Sequence, residues 1–205
     1  GLYTETWLEQ VSLFQEFPPP LQENLKEIAR RIHASFLVQE AGTVHPALDF
    51  LLKSSESHTS LRAAPCDSEE YRALADRQTL IQNEKIALMR GVEAVIRKLR
   101  TPKFIISGVE GKIRLCGLIA SELRWKHPHL VVGIWQKWKD RLICELRRGM
   151  QCQVNLALLV EKIKTEIPLL TGGGHPDAAA FSAVESRFFL ALRKMRDLLD
   201  QGFEE

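Results

Sequence analysis

The sequence predicts a protein of the α/β (α+β) class, in which a helical N-terminal half is joined by a long connector helix to a small mixed-sheet domain with helices. Two observations lead to this prediction. Apolar residues follow helical spacing through the first half of the chain, and strand and helix patterns alternate after Thr101. With 205 residues, of which 45% are hydrophobic, the chain is long enough to bury a core in one domain or in two small ones.

The first part of the chain, to about Leu61, predicts helices that are interrupted by the prolines of "FPPPL". After Pro20 the apolar residues recur on one helical face, at Leu21, Leu25, Ile28, Ile32 and Phe36. A short helix in "HPALDFLLK" then runs into the polar stretch 54–60, which is the best candidate for a domain boundary.

A second helix begins near Asp67, which precedes Glu70 by three residues as in a capping box. Its apolar positions alternate in steps of three and four residues, but Gln78 and Lys85 interrupt them, so it predicts a connecting or packing helix rather than a coiled coil. Pro102 ends it. We therefore divide the chain into a helical segment (1–60), a linker with the connector helix (61–101) and a sheet domain (102–205).

Within the sheet domain the sequence predicts strand, helix, strand, turn, strand and helix. The corresponding segments are "KFIISGV", residues 112–125, "LVVGIW", "RLICELR" and residues 154–167, and a closing helix spans about 182–199. In the third strand Leu142, Cys144 and Leu146 alternate with Ile143, Glu145 and Arg147. Arg147 is therefore expected on the face opposite the apolar one.

The stretch "TGGGHPDAAAF" (171–181) separates the last two predicted helices. We expect Gly172, Gly173 and Gly174 to form a turn whose backbone N–H groups converge on an anion, because glycine adopts positive φ without penalty. His175 adds a side-chain donor, and Pro176 fixes the exit from the turn. The alternative interpretation is an ordinary surface loop.

Charged and aromatic residues leave the function open at this point. The net charge is only +2, but Lys and Arg cluster between residues 124 and 148, which suits either phosphate contacts or solvated strand ends. Trp135 and Trp138 lie among these lysines and suit base stacking, although Trp135 is expected to end a buried strand. Trp7 and Trp125 are expected in helix cores.

Several functional classes have no support in the sequence. The four cysteines form no C-x-x-C pair and predict reduced thiols rather than a zinc site or a disulfide framework. Motifs of NTPases, hydrolase triads, zincins and dinucleotide-binding folds are absent. No segment approaches the roughly 18 consecutive apolar residues of a membrane span, and the start lacks a signal-peptide pattern, so a cytoplasmic location is the default expectation.

The strand end "ELRRG" (145–149), the following helix and "GGGHPDAAAF" (172–181) together resemble the C-terminal DHH-associated domain of DHH-family phosphoesterases. That family includes single-strand exonucleases, nanoRNases and cyclic-dinucleotide phosphodiesterases. The resemblance covers roughly the last half of the chain. It implies that Gly172, Gly173, Gly174, His175 and Arg147 hold the phosphates and bases of a substrate against a metal centre in another domain.

The sequence departs from the family pattern in three respects. Glu145 replaces a residue that is usually serine or small, and Ala180 replaces a residue that is usually glycine. The chain contains neither Asp-His-His nor His-x-Asp-x-Asp, so the resemblance implies no catalytic residue and no metal ligand within it. The divalent metal, manganese or magnesium, is expected in a missing catalytic half, with residues 1–60 as its tail and the chain alone inactive.

Three hypotheses for function follow. The first is the substrate-binding portion of a phosphodiesterase that acts on short oligonucleotides or single-stranded nucleic acid, or on a nucleotide phosphodiester. The second is a non-catalytic nucleic-acid-binding module like the C-terminal domain of alanyl-tRNA synthetase, although the His-Pro after the glycines favours the phosphoesterase branch. The third is a structural domain that forms a homodimer or docks to a partner.

Overall fold

The computed structural model describes residues 15–37, 69–99 and 102–203. In these ranges the helices and strands follow in the order α1 (Pro19–Leu37), α2 (Glu69–Ile96), β1 (Phe104–Gly108), α3 (Cys116–Lys126), β2 (Val131–Trp138), β3 (Arg141–Arg148), α4 (Leu156–Glu166), β4 (Thr171–His175), β5 (Ala178–Ala183) and α5 (Glu185–Asp200). The predicted α+β class is confirmed. The chain divides into two compact units after Glu84, within α2.

The described part of the first unit consists of α1 and the beginning of α2. Ile28 of α1 is buried with Tyr71 and Leu74 of α2, as the helical spacing of apolar residues predicts. The guanidinium of Arg31 lies 4.2 Å from the centre of the Tyr71 ring. The predicted helix in "HPALDFLLK", the capping box at Asp67 and the polar stretch 54–60 lie outside the described residues, so the domain boundaries stay predictions.

The second unit is built on a five-stranded sheet with the order β1-β2-β3-β5-β4. Strand β1 pairs with β2 in parallel, which the intervening helix α3 makes possible, and the other pairs are antiparallel. Strands β1 and β4 are the two edges. The sheet therefore ends on one side in a strand of ordinary apolar composition and on the other side in the glycine-rich segment.

The two faces of the sheet are covered differently. Helices α4 and α5 pack on the face that carries Leu142, Cys144 and Leu146 of β3 with Phe181 of β5, and these residues form the main hydrophobic core. Helix α3 packs on the other face, against β2 and β3. The alternation predicted for β3 is thus confirmed, and Arg147 lies on the face of α3.

Two differences from the predicted elements concern function. The helix expected from residue 112 begins only at Cys116, because a loop before it is held against β2. Residues 172–174, expected as a turn, instead lie in the hairpin of β4 and β5, and the closing helix expected from about residue 182 begins at Glu185. Short runs of glycine and alanine carry no strand signal, and pairing with β3 overrides their low strand propensity.

Candidate functional site

The candidate site lies where three strands, β3, β5 and β4, run side by side. Register places Arg147 opposite Ala178, and Ala178 opposite His175, so the three residues form one row across the sheet. At about 4.8 Å per strand, the Cα atoms of Arg147 and His175 are roughly 10 Å apart. The next row on the same face contains Glu145 opposite Ala180. Ala178 and Ala180 are half-buried, and their side chains are single methyl groups, so they project little from this part of the sheet.

The expected glycine turn is wrong, because Gly172, Gly173 and Gly174 lie in the edge strand β4. Two of them are required by close approach to β5. A Cβ at Gly172 would lie 2.4 Å from the Ala180 carbonyl oxygen, and one at Gly174, which has φ 157°, would lie 2.3 Å from the Ala178 oxygen. A Cβ at Gly173 would have open space around it, with Glu161 Oε1 4.0 Å away.

The edge position changes how the glycines present their donors. An edge strand leaves every second backbone N–H unpaired by the sheet, so β4 offers a row of donors along a line instead of a turn converging on one point. Gly172, Gly174 and His175 are exposed. A strand without side chains lets the backbone of a ligand approach these donors closely.

Arg147 is held in place by its neighbours. Its Nε donates to Ser121 Oγ of α3 at 3.1 Å, and its Nη1 donates to the Leu146 carbonyl at 2.8 Å. The side chain is only 17% exposed. The guanidinium therefore has little conformational freedom left to lose when it binds an anion.

A carboxylate bridges this arginine to a second one. Glu145 Oε1 accepts from Arg114 Nη2 at 2.8 Å, and Glu145 Oε2 lies 3.4 Å from Arg147 Nη1. The sequence places the Glu145 carboxylate near Arg147, but it does not indicate Arg114, which is 31 positions away from Glu145 in the chain and precedes α3. Nothing in the local sequence around Arg114 indicated this contact.

The turn between β4 and β5 is fixed by a second arginine of β3. Arg148 Nε donates to Asp177 Oδ1 at 2.5 Å, and the Arg148 backbone N–H donates to the Asp177 carbonyl at 3.1 Å. His175 Nδ1 accepts the Asp177 backbone N–H at 3.2 Å, and this hydrogen bond does not use Nε2. This arrangement makes Nε2 the ring nitrogen available to a ligand, while the side chain remains largely exposed.

The other end of the hairpin is fixed in the same way. Arg141, at the start of β3, donates to the Ser182 carbonyl at 2.9 Å and to Thr171 Oγ1 at 3.1 Å. Thr171 and Ser182 also share a hydrogen bond between their hydroxyl groups at 2.9 Å. Hydrogen bonds from β3 thus hold the hairpin at both ends, while Gly172 and Gly174 remain exposed between them.

A buried glutamine positions the loop that carries Arg114. Gln136 of β2 is 1% exposed. Its Nε2 donates to the carbonyl oxygens of Gly111 and Ile113 at 2.8 and 2.9 Å, and its Oε1 accepts from the Leu115 N–H at 3.3 Å. These three hydrogen bonds fix the chain on either side of Arg114 and determine where α3 begins.

The described cysteines are consistent with reduced thiols. Cys116 and Cys144 are buried, and Cys152 is half-buried. Burial, followed by the nearby Glu145 carboxylate, raises the pKa of Cys116, and burial raises the pKa of Cys144 well above its ordinary value. These two groups are therefore poor nucleophiles at neutral pH.

The tryptophans do not all lie where the sequence predicted. Trp135 packs edge-on against the rings of Phe188 and Phe189, at centroid distances of 5.7 and 5.5 Å, but it lies inside β2, which continues to Trp138, and not at the expected strand end. Trp125 is 51% exposed, so its assignment to a helix core is wrong. The Arg124 guanidinium lies 5.0 Å from the centre of its ring, and the buried side of α3 consists of Cys116, Ile119, Ala120 and Leu123. Trp7 lies outside the described residues.

Within the described ranges, no group of three or more His, Cys, Asp or Glu side chains is placed to hold a metal ion. Of the helices in these ranges, none has the length and apolar character needed to cross a bilayer.

The fold is similar to those of known nucleases. RecJ from Thermus thermophilus in complex with Mg²⁺ has a TM-score of 0.59 and 18% identity, covering 85% of this chain and 25% of that one. Exonuclease RecJ bound to manganese has a TM-score of 0.56 and 20% identity, covering 82% of this chain and 38% of that one. The chain therefore spans only a minor part of the RecJ structures that it matches.

A weaker likeness concerns the C-Ala domain of alanyl-tRNA synthetase from Aquifex aeolicus, with a TM-score of 0.41 and 18% identity, covering 47% of this chain and 89% of that one. No protein-family model matches the sequence, and no curated protein is significantly similar to it. The expected resemblance to the DHH family is confirmed by the RecJ structures at the level of fold.

Proposed function

We propose that residues 102–203 are the substrate-binding portion of a DHH-family phosphodiesterase that acts on short oligonucleotides or single-stranded nucleic acid. The observation that carries this proposal is the row of Arg147, Ala178 and His175 beside the exposed glycine edge of β4. It combines a guanidinium held by hydrogen bonds, an exposed imidazole and backbone N–H donors around a part of the sheet that carries only methyl side chains.

Each part of this row suits one part of a nucleotide. Arg147 offers phosphate oxygens its positive charge and the Nη2 donors that its contacts with Ser121, Leu146 and Glu145 do not use, and the backbone N–H groups of β4 are uncharged donors that need no side-chain ordering. The methyl groups of Ala178 and Ala180 leave room for a flat base or a sugar on the sheet. The basic residues between 124 and 148 add a favourable potential for a polyanion.

Likeness to the RecJ structures supports the enzymatic part of the proposal, since those proteins are described as an exonuclease and as bound to Mg²⁺ or manganese. We place the hydrolysis on divalent ions held outside residues 102–203. Two such ions activate water and stabilise the leaving oxygen. In this arrangement the row on β3, β5 and β4 holds the substrate while the chemistry takes place elsewhere.

The test measures the affinity of a short fluorescent single-stranded oligonucleotide for the chain, with and without manganese, while cleavage is followed. We expect binding without cleavage. Arg147→Ala is expected to weaken binding by about tenfold or more and His175→Ala by about threefold, because each removes a hydrogen-bond donor to the ligand.

Arg193→Ala is the matched control. Arg193 is an exposed residue of α5, the helix that packs on the opposite face of the sheet, and its loss changes the net charge equally. It is expected to change affinity by less than about twofold. Equal effects of Arg193→Ala and Arg147→Ala, or no binding by the unmodified chain, would refute the proposed site.

A further inference from the structure

Three charged side chains at the candidate site form a closed cluster. Glu145 lies between Arg114, at 2.8 Å, and Arg147, at 3.4 Å. The exposed fractions of the Glu145, Arg147 and Arg114 side chains are 14%, 17% and 31%, so all three are partly withdrawn from water. Charges in such a position are screened less than charges on the open surface.

The charges of the cluster sum to one positive charge. With Glu145 ionised, its carboxylate cancels one of the two guanidinium charges. A bridging phosphodiester carries one negative charge, whereas a terminal phosphate monoester carries close to two above pH 7. The net charge of the cluster therefore balances a phosphodiester, whereas a terminal phosphate keeps about one uncompensated negative charge beside the Glu145 carboxylate.

We propose that Glu145 is a specificity-determining residue, which lowers the affinity of the site for a terminal phosphate monoester more than its affinity for an internal phosphodiester. This inference rests on the proposed function, because it requires that a ligand phosphate is bound beside Arg147. It extends that function by naming the charge state of the phosphate that Glu145 disfavours.

Glu145 has little room to move away when a ligand arrives. A Cβ built on Gly117, in the first turn of α3, would lie 3.4 Å from Glu145 Cδ, so the helix backbone closely packs one side of the carboxylate. Arg114 is fixed on both sides by the hydrogen bonds of Gln136 to Ile113 and Leu115. The carboxylate thus remains beside any phosphate that Arg147 contacts.

The fixed charge acts differently on the two kinds of ligand. Repulsion by one carboxylate is about twice as large for a dianion as for a monoanion at the same distance. Removing that charge must therefore strengthen the binding of a terminal phosphate more than the binding of a phosphodiester.

The test uses two ligands that each contain a single phosphorus atom. AMP presents a terminal phosphate, and the dinucleoside monophosphate ApA presents a phosphodiester. Both compete at pH 8 with a labelled oligonucleotide for the full chain and for Glu145→Gln. We expect Glu145→Gln to raise the affinity for ApA about threefold and the affinity for AMP about tenfold. The dianion has twice the charge of the monoanion, so twice the repulsion energy is removed and the factor by which affinity rises is squared.

Asp140→Asn is the matched control. Asp140 is an exposed residue in the turn before β3, about 20 Å along the strand from Arg147, and its replacement removes the same charge. It is expected to leave the ratio of the two affinities unchanged. If Glu145→Gln proves misfolded by circular dichroism, Glu145→Ser, which is also uncharged, replaces it in the same comparison.

The outcomes separate the two proposals. If the unmodified chain binds the ligands but the AMP-to-ApA ratio is the same in Glu145→Gln, or changes equally in Asp140→Asn, the role of Glu145 is wrong and the proposed function stands. If the unmodified chain binds neither ligand nor the oligonucleotide, both proposals fall. A ratio that shifts toward AMP only in the Glu145 variant supports the inference.

Discussion

The two hairpins of the sheet have contrasting compositions. In the hairpin of β2 and β3, large side chains such as Val132, Ile134 and Leu146 are buried on both faces. In the hairpin of β4 and β5, three glycines are paired with a strand that begins with three alanines. The first hairpin supplies large side chains to both faces of the sheet, whereas in the second only β5 adds a large side chain to the core, through Phe181, and the backbone of β4 stays accessible.

This contrast shows how one continuous sheet serves two purposes. Strand β3 belongs to both regions, because its apolar residues face α4 and α5 while Glu145 and Arg147 face α3. Its arginines also hold the second hairpin at each end. The weakly packed hairpin thus obtains its order from hydrogen bonds to the well-packed one.

The largest effect on stability is expected when a side chain is added to the glycines of β4. Gly172→Ala and Gly174→Ala are each expected to lower the free energy of unfolding by about 2–4 kcal/mol, because the new Cβ would collide with the backbone of β5. Urea unfolding followed by circular dichroism measures this loss.

Gly173→Ala is the control for that experiment, since its Cβ enters open space. It is expected to change the free energy of unfolding by less than about 1 kcal/mol. Similar stability of all three variants would contradict the close approach of β4 and β5.

A smaller effect is expected at Gln136, a buried polar residue in the hairpin of β2 and β3. Gln136→Leu would leave the carbonyl oxygens of Gly111 and Ile113 and the N–H of Leu115 without their partner. We expect a loss of about 2–3 kcal/mol in the free energy of unfolding, together with weaker oligonucleotide binding as Arg114 loses its position.

Lys137→Leu is the matched control, because Lys137 is the next residue of β2 and is exposed. It is expected to change stability by less than about 0.5 kcal/mol. If Gln136→Leu were equally neutral, the loop before α3 would not depend on this side chain.

Much of the fold was predictable because it depends on periodic burial. The alternation in β3 and the helical spacing in α4 and α5 place large apolar residues on one face, and both patterns are visible in the sequence. The hairpin of β4 and β5 has no such pattern. Residues without large side chains give no periodic signal, and the strands form through pairing with β3.

The candidate site was predictable in part. Arg147 and residues 172–175 are identified by a motif, and the register between them follows from the hairpin that the sequence did not predict. Arg114 and Gln136 were missed because their roles arise only from contacts between residues distant in the chain. A pattern in one sequence shows the spacing of residues within a single helix or strand. It does not show the contacts of Arg114 and Gln136, because these join different parts of the fold.

The measurement that tests the account most directly compares the two edges of the sheet. Amide chemical shifts of the ¹⁵N-labelled chain are recorded while a short single-stranded oligonucleotide is added. We predict that the largest changes occur at residues 172–175 and at Arg147, with little change along β1 at the other edge. Changes confined to β1 or to α5, or no changes at saturating oligonucleotide, would contradict the assignment of the glycine edge as the binding site.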